Sequence, residues 1–299
     1  MPNRDLTQAR NAKKDEFYTR LEDIQLELRN YKAYFKDKVV FCNCDDPYES
    51  NFFKYFALNF NALGLKKLIS TCYNGSPVSG QELPLDFGDD ESRKIAYKVE
   101  ICEVSDINND GRIDLSDIQL LMQNKKNVIS ILKENGDFRS EECVDLLKQS
   151  DIVVTNPPFS LFGEYLALLD RYKKQFIIVG NTNAIKYKTT FKMFQEDRIR
   201  TGYTKFNVGM YFYVPDSYEK FHQIENGRKM VRVSTSCWYT SLPVKKHQED
   251  LVLYKTYNST DYPQYDNYYT IYFYDDEDNL IYIIVPEMVL RMYYDQHKK

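Results

Sequence analysis

The sequence predicts an α/β protein built on a doubly wound sheet. Two observations carry this. Short apolar, β-branched runs alternate with amphipathic helical stretches. In addition, Gly136-Asp137-Phe138, the helix-like segment Ser140 to Gln149 and the run Asp151 to Thr155 together form a βαβ unit, and that run ends in Asn156-Pro157-Pro158-Phe159.

Taken in order, residues 15–36 place Phe17, Leu21, Ile24, Leu28, Tyr31 and Phe35 at three- and four-residue spacing, which predicts an amphipathic helix leading into a strand Val39 to Cys42. A helix Asn51 to Ala62 and a strand Lys67 to Thr71 continue the alternation. Residues 73–90 are rich in Gly, Pro, Ser and Asp and read as a loop, followed by a strand around Lys98 to Val104. A helix Leu161 to Tyr172 and a buried strand Lys174 to Val179 come next, and residues 186–250 mix strands, Gly breaks and basic residues. Near the end, Tyr268 to Tyr274 and Leu280 to Val285 flank the acidic turn Asp275 to Asn279 as a hairpin.

Composition narrows the class. With 299 residues, 43% hydrophobic and 28% charged, the chain is long enough to bury a proper core. Its 26 tyrosines suggest strand faces with one polar edge. No apolar run approaches a membrane span and no signal-peptide core is visible, so the expected location is cytoplasmic, with no membrane partner. Six scattered cysteines have neither disulfide-framework nor zinc spacing and read as reduced thiols. The three histidines, His222, His247 and His297, are too few and too scattered for a histidine-based metal or base mechanism. A net charge of −4 speaks against nucleic acid only on average, because Lys186 to Arg200 and Gly227 to Arg232 are rich in positive charge.

The turn Asn156-Pro157-Pro158-Phe159 carries the chemistry. The Asn156 amide oxygen and the Pro157 carbonyl can both accept from an exocyclic amine, while Phe159 stacks on the attached heterocycle. Two prolines cannot donate, so the turn stays extended with its carbonyls free. The alternative is an ordinary strand-to-loop turn.

A second motif spans Asp106 to Asp117. Asp106, Asn108, Asp110, Arg112 and Asp117 are candidate ligands at the spacing of a calcium loop, with Gly111 at the sharp turn, the apolar Ile113 at the eighth position and Asp114 and Asp117 at the ninth and twelfth. A structural Ca²⁺ is one reading; an Asp/Asn-rich turn that caps its own helix is the other.

Together these motifs resemble the adenine-specific DNA methyltransferase family typified by the EcoRI modification methylase. The resemblance rests on Asp15-Glu16-Phe17-Tyr18-Thr19, on Phe41-Cys42-Asn43-Cys44-Asp45-Asp46-Pro47 where most such enzymes carry a glycine-rich loop, on Gly136-Asp137-Phe138-Arg139-Ser140, and on Asn156-Pro157-Pro158-Phe159-Ser160. Gly180 to Ile185 and Trp238-Tyr239-Thr240 fall where the family has later motifs. The resemblance implies a Rossmann-like S-adenosylmethionine-dependent methyltransferase sheet, with an inserted calcium-loop-like segment and a mixed β-rich C-terminal region. It implies a cofactor-binding and catalytic core over 1–185, with an insert at about 73–125, and residues 186–299 completing the core and reading the DNA target. S-adenosyl-L-methionine would be held by Tyr18, Thr19, Asn43, Asp45, Asp46, Asp137 and Phe138, and Asn156, Pro157, Pro158 and Phe159 would be catalytic. Helix capping is the competing role for Asp45 and Asp46, and a turn role for Asp137. A second base-stacking aromatic is expected near Phe206, with Trp238 and Tyr239 as competitors. The implied partners are double-stranded DNA and a cognate restriction endonuclease; the alternatives are N-methylation of RNA or of protein glutamine, or a catalytically silent DNA-binding relative.

Overall fold

A computed structural model describes residues 17–44, 47, 49–73, 96–123, 128–206, 208–216, 218–247, 268–274 and 280–286. The first strand, β1 (Tyr18–Thr19), lies where the spacing predicts helix; α1 covers only Leu21–Leu28. Period alone cannot separate the two outcomes. Phe17 to Thr19 are drawn out of the helix because β1 finds a strand partner far along the chain, and Asn30 then closes the helix by donating to the Leu26 and Glu27 carbonyls.

The central layer follows. Strand β2 (Val39–Cys42), helices α2 (Asn51–Leu58) and α3 (Phe60–Leu63), β3 (Lys67–Thr71), β4 (Tyr97–Ile101), α4 (Leu115–Gln123) and β5 (Val128–Ile131) form its first half. Helix α5 (Glu141–Gln149), β6 (Ile152–Thr155), α6 (Phe162–Arg171), β7 (Gln175–Asn181), α7 (Lys188–Gln195) and β8 (Arg200–Thr201) continue it. Ser50 and Ser140 cap α2 and α5 by accepting from the N–H groups of Phe53 and Cys143.

Three further strands, β9 (Met210–Tyr213), β10 (Gln223–Glu225) and β11 (Arg228–Val233), join β1 in a four-stranded antiparallel sheet of order β1-β9-β11-β10. The chain then re-enters the main sheet as β12 (Ser236–Thr240), giving eight strands in the order β5-β4-β3-β2-β6-β7-β12-β8. The centre β3-β2-β6-β7 is parallel, whereas β4 and β12 run against it. Antiparallel β4 lies inside the expected insert, yet it is an integral strand between β3 and β5.

Pleating sorts the core into two layers. Val40, Cys42, Ile152, Val154, Ile177 and Val179 face one side with α1 and α2, while Val39, Phe41, Val153, Phe176 and Ile178 face the other with α5 and α6. Both faces are covered by helices, so the central strands are apolar throughout. On the first face the buried Glu27 carboxylate accepts from the Tyr31 hydroxyl, the Tyr203 and Thr204 N–H groups and the Thr204 hydroxyl, tying α1 to the segment after β8.

The Asp106–Asp117 loop takes the self-capped form. Asp106 accepts from the Asp110 and Gly111 N–H groups, Asp110 from Arg112, Asp114 from Ser116, and Asp117 from Ile107, Asn108 and Asp114. Among the described residues no group of three or more His, Cys, Asp or Glu side chains could hold a metal ion. The calcium expectation therefore lacks support: backbone donors take up the carboxylates that spacing had assigned to a cation.

Contacts group the chain into two compact units, Met1–Gln248 and Glu249–Lys299. The second contains the expected hairpin, β13 (Tyr268–Tyr274) paired with β14 (Leu280–Pro286); its turn lies outside the described residues. Among the described residues no helix is long and apolar enough to cross a membrane.

Candidate active site

The chain leaves β2 toward β3 on one side and later enters β6 on the other, so a topological switch point lies between β2 and β6. At such a point the loops after the two strands diverge and open a crevice at the carboxyl edge. Asn43 and Asn156 both follow these strands. The Thr155 hydroxyl donates to the Asn43 carbonyl and the Tyr165 hydroxyl of α6 donates to Asn43 Oδ1. Asn43 thus ties the two strand ends together, and its amide oxygen already has a protein donor.

Asn156 is arranged differently. Its Nδ2 donates to the Phe17 carbonyl at 2.5 Å. The reverse flip would set Oδ1 against that carbonyl, acceptor against acceptor, so the contact fixes the amide's orientation. Asn156 is only 6% exposed, and its Oδ1 is buried without a hydrogen-bond partner among the described residues. A buried acceptor left unmade costs about 1–3 kcal/mol, so its place at the carboxyl edge between β2 and β6, where a crevice is expected, suits a ligand's donor. Pro157 is buried, and its carbonyl accepts no hydrogen bond among the described residues. The Pro158 carbonyl, by contrast, accepts from the Leu161 N–H and starts the tight turn that aims Phe159.

Phe159 is half-buried. Its ring centroid lies 5.9 Å from Phe17 and 6.1 Å from Phe212, and Phe17 lies 6.4 Å from Tyr218. These aromatics meet because β1 pairs with β9, setting Thr19 opposite Phe212. The same pleat separates the expected pair Tyr18 and Thr19. Tyr18 packs with Tyr213 and Met230 on the opposite face from Phe17 and Phe212. Thr19 Oγ1 is buried without a partner among the described residues, and Asn51 Nδ2 holds the Thr19 carbonyl at 2.8 Å.

Asp137 and Phe138 reach the same edge through the bend after β5. Gly136 has φ +76°, and a Cβ there would lie 2.2 Å from the Cys72 carbonyl oxygen, so only glycine lets this loop press against the end of β3. Asp137 accepts from the Arg139 N–H at 2.8 Å and from its guanidinium at 2.9 and 2.7 Å. The Arg139 hydrogen bonds hold this carboxyl below the usual carboxylate range, against the opposing effect of burial. Asp137 therefore combines the turn role with an ion pair; Oδ1 takes two Arg139 donors and Oδ2 one, so Oδ2 keeps a lone pair for another donor. Phe138 is buried edge-on against Tyr165, 5.1 Å between centroids. Asp45 and Asp46 lie outside the described residues, and the cap of α2 belongs to Ser50.

One expectation fails here. Trp238 and Tyr239 are 1% and 0% exposed inside β12, where pairing with β7 buries them in the core, so neither offers a face for stacking. Phe206 is half-buried against the α6-side cluster. The rings beside Phe159 are Phe17 and Phe212, with Tyr218 against Phe17; only Phe17 belongs to a recognised motif, and sequence spacing carries no signal for the other two.

A crevice that offers fixed acceptors and rings suits delivery of an already activated group to an amine, the work of α/β amino-methyltransferases. The chain belongs to a particular family of them: residues 5–279 match the family described as adenine-specific methyltransferase EcoRI. It is 43% identical over 272 residues to the Type II methyltransferase M.EcoRI of Escherichia coli, covering 89% of this chain and 77% of the relative. It is 36% identical over 275 residues to the Type II methyltransferase M.MpnI of Mycoplasma pneumoniae, covering 88% and 73%. No solved structure gives a significant match.

Proposed function

We propose that this adenine-specific methyltransferase methylates N6 of an adenine flipped out of duplex DNA, as the modification partner of a restriction endonuclease or as an orphan enzyme. The observation that carries the reading is the buried, unpaired Asn156 Oδ1, held in one orientation by the Phe17 carbonyl.

The N6 lone pair of adenine is delocalised into its ring and is a poor nucleophile. Accepting one amino hydrogen at Asn156 Oδ1 and the other at the Pro157 carbonyl favours a pyramidal nitrogen and localises the lone pair. Phe159 stacks on the purine and recovers part of the unstacking cost, about 1–3 kcal/mol against a few. Asn43 and the Phe17 carbonyl keep the strand ends in place during this step.

The residues present fit S-adenosyl-L-methionine. Thr19 Oγ1 is a buried hydroxyl without a partner among the described residues, two residues along the chain from the carbonyl that holds Asn156, Asp137 Oδ2 keeps acceptor capacity, and Phe138 is buried after the same bend. When bound, this sulfonium supplies an activated methyl group, so no general base has to act before transfer.

Tritiated methyl transfer to adenine-containing duplex, to RNA and to protein tests the assignment. Label on N6 of duplex adenine supports it; label confined to RNA or protein overturns it.

A further inference from the structure

The two basic stretches of the sequence have different fates in the fold. Between β10 and the end of β11, Arg228 pairs with Glu49 at 2.9 Å and lies over Tyr213, Lys229 donates to the Asp216 and Tyr218 carbonyls, and Arg232 donates to the Val208 carbonyl. In the other stretch Arg198 is taken by Asp170 and Glu196, and Arg200 by Asp197 and the Ser241 and Leu242 carbonyls. Lys192 faces Glu196 at 3.7 Å. Lys186 and Lys188 remain exposed, with no ion pair or hydrogen bond among the described residues.

They flank an apolar feature. Tyr187 and Phe191 are 46% and 51% exposed, one helical turn apart at the start of α7. Residues 182–195 contain no Asp or Glu. The location matters as much as the composition. β7 continues three residues beyond the register pair Thr155–Ile178, so Lys186 to Lys188 emerge at the carboxyl edge next to the Asn156 turn. A Cβ on Gly163, at the start of α6 just past Phe159, would meet the Tyr187 ring at 3.8 Å.

We propose that Lys186, Tyr187, Lys188 and Phe191 form the surface that grips the duplex beside the extruded adenine. The two ammonium groups take phosphates of the target strand, and the two rings cover the sugar and base edges exposed when the adenine leaves the stack. This inference rests on duplex DNA being the substrate. A basic segment without acidic residues of its own fits a polyanion, and exposed rings beside the lysines fit unstacked bases better than a protein partner.

The test is binding of an adenine-containing duplex as a function of salt, together with turnover and cofactor binding. K186A/K188A is expected to weaken duplex binding about 10-fold or more near 0.1 M salt and to reduce the magnitude of the slope of log affinity against log salt by about 2. Turnover at saturating duplex and cofactor affinity stay at wild-type values. Y187A/F191A is expected to weaken binding about 5-fold or more with the slope unchanged. The control is K32A/K36A, whose exposed lysines precede β2 and so lie toward the opposite edge of the sheet. An unchanged slope in K186A/K188A with wild-type methylation intact overturns the inference and leaves the proposed function standing, as does an equal loss in K32A/K36A. A wild-type chain that binds and methylates no duplex overturns both.

Discussion

The Asn156–Phe159 turn and the Asp106–Asp117 loop are the two polar segments with the strongest motif character, and they differ in what becomes of their oxygens. In the loop, the carboxylates of Asp106, Asp110, Asp114 and Asp117 each accept from nearby backbone N–H groups. In the turn, prolines remove the local donors, the amide is locked through its NH2 end by Phe17, and a buried acceptor is left over. A segment that satisfies itself is structural, whereas one held by distant residues with an acceptor to spare is arranged for a visitor. The spare acceptor costs about 1–3 kcal/mol, a cost that a bound donor would remove.

That contrast can be broken at its strongest point by Asn156→Ala. Turnover is expected to fall by about 100- to 1,000-fold, by analogy with loss of one preorganised hydrogen-bonding group. Cofactor affinity measured by calorimetry is expected to stay near wild type. Parallel loss of both would make Asn156 a structural residue, like those of the loop.

Next in size is Phe159→Ala. Losing one stacking face should cost about 5- to 150-fold in kcat/KM, and Phe159→Trp should keep most of it. Indifference of kcat/KM to the ring would move the stacking role to Phe17 or Phe212.

The loop gives the smaller effects. Asp117→Asn weakens one acceptor set shared by three backbone N–H groups; the thermal midpoint should fall by a few degrees while turnover well below it is unchanged. A midpoint that climbs on adding calcium and drops with chelator would restore the metal-loop reading.

The smallest effect is in pH. Backbone hydrogen bonds, that from Asp114 first, hold the Asp117 carboxyl below its ordinary value of 3.8. A depressed carboxylate stabilises the fold above its unfolded value and loses that contribution as pH falls through its folded value. Acid unfolding of the wild type and Asp117→Asn should therefore differ above about pH 4 and converge in stronger acid.

Much of the fold is legible in the residues. Val39–Cys42, Lys67–Thr71 and Tyr268–Tyr274 are strands with the predicted bounds, because β-branched and aromatic runs bounded by breakers leave little choice. Helices α5 and α6 fall within a residue of expectation, since Ser140 and the turn after Pro158 mark their starts. Phe17 to Thr19 mislead because their apolar spacing suits a helix, while β9, nearly two hundred residues on, offers strand pairing. Trp238 and Tyr239 mislead in the same way: an aromatic pair shows no sign of which sheet will cover it.

The sequence by itself determined the α/β alternation, the Asn-Pro-Pro-Phe turn at the end of β6 and membership of a methyltransferase family, because local propensity and motif chemistry act over a few residues. Tertiary structure alone decided which way the Asn156 amide points, which rings meet Phe159 and which lysines stay unpaired. Each of those depends on a partner distant in the chain, and hydrogen bonds, ring contacts and ion pairs form between whichever groups the sheet order brings within reach.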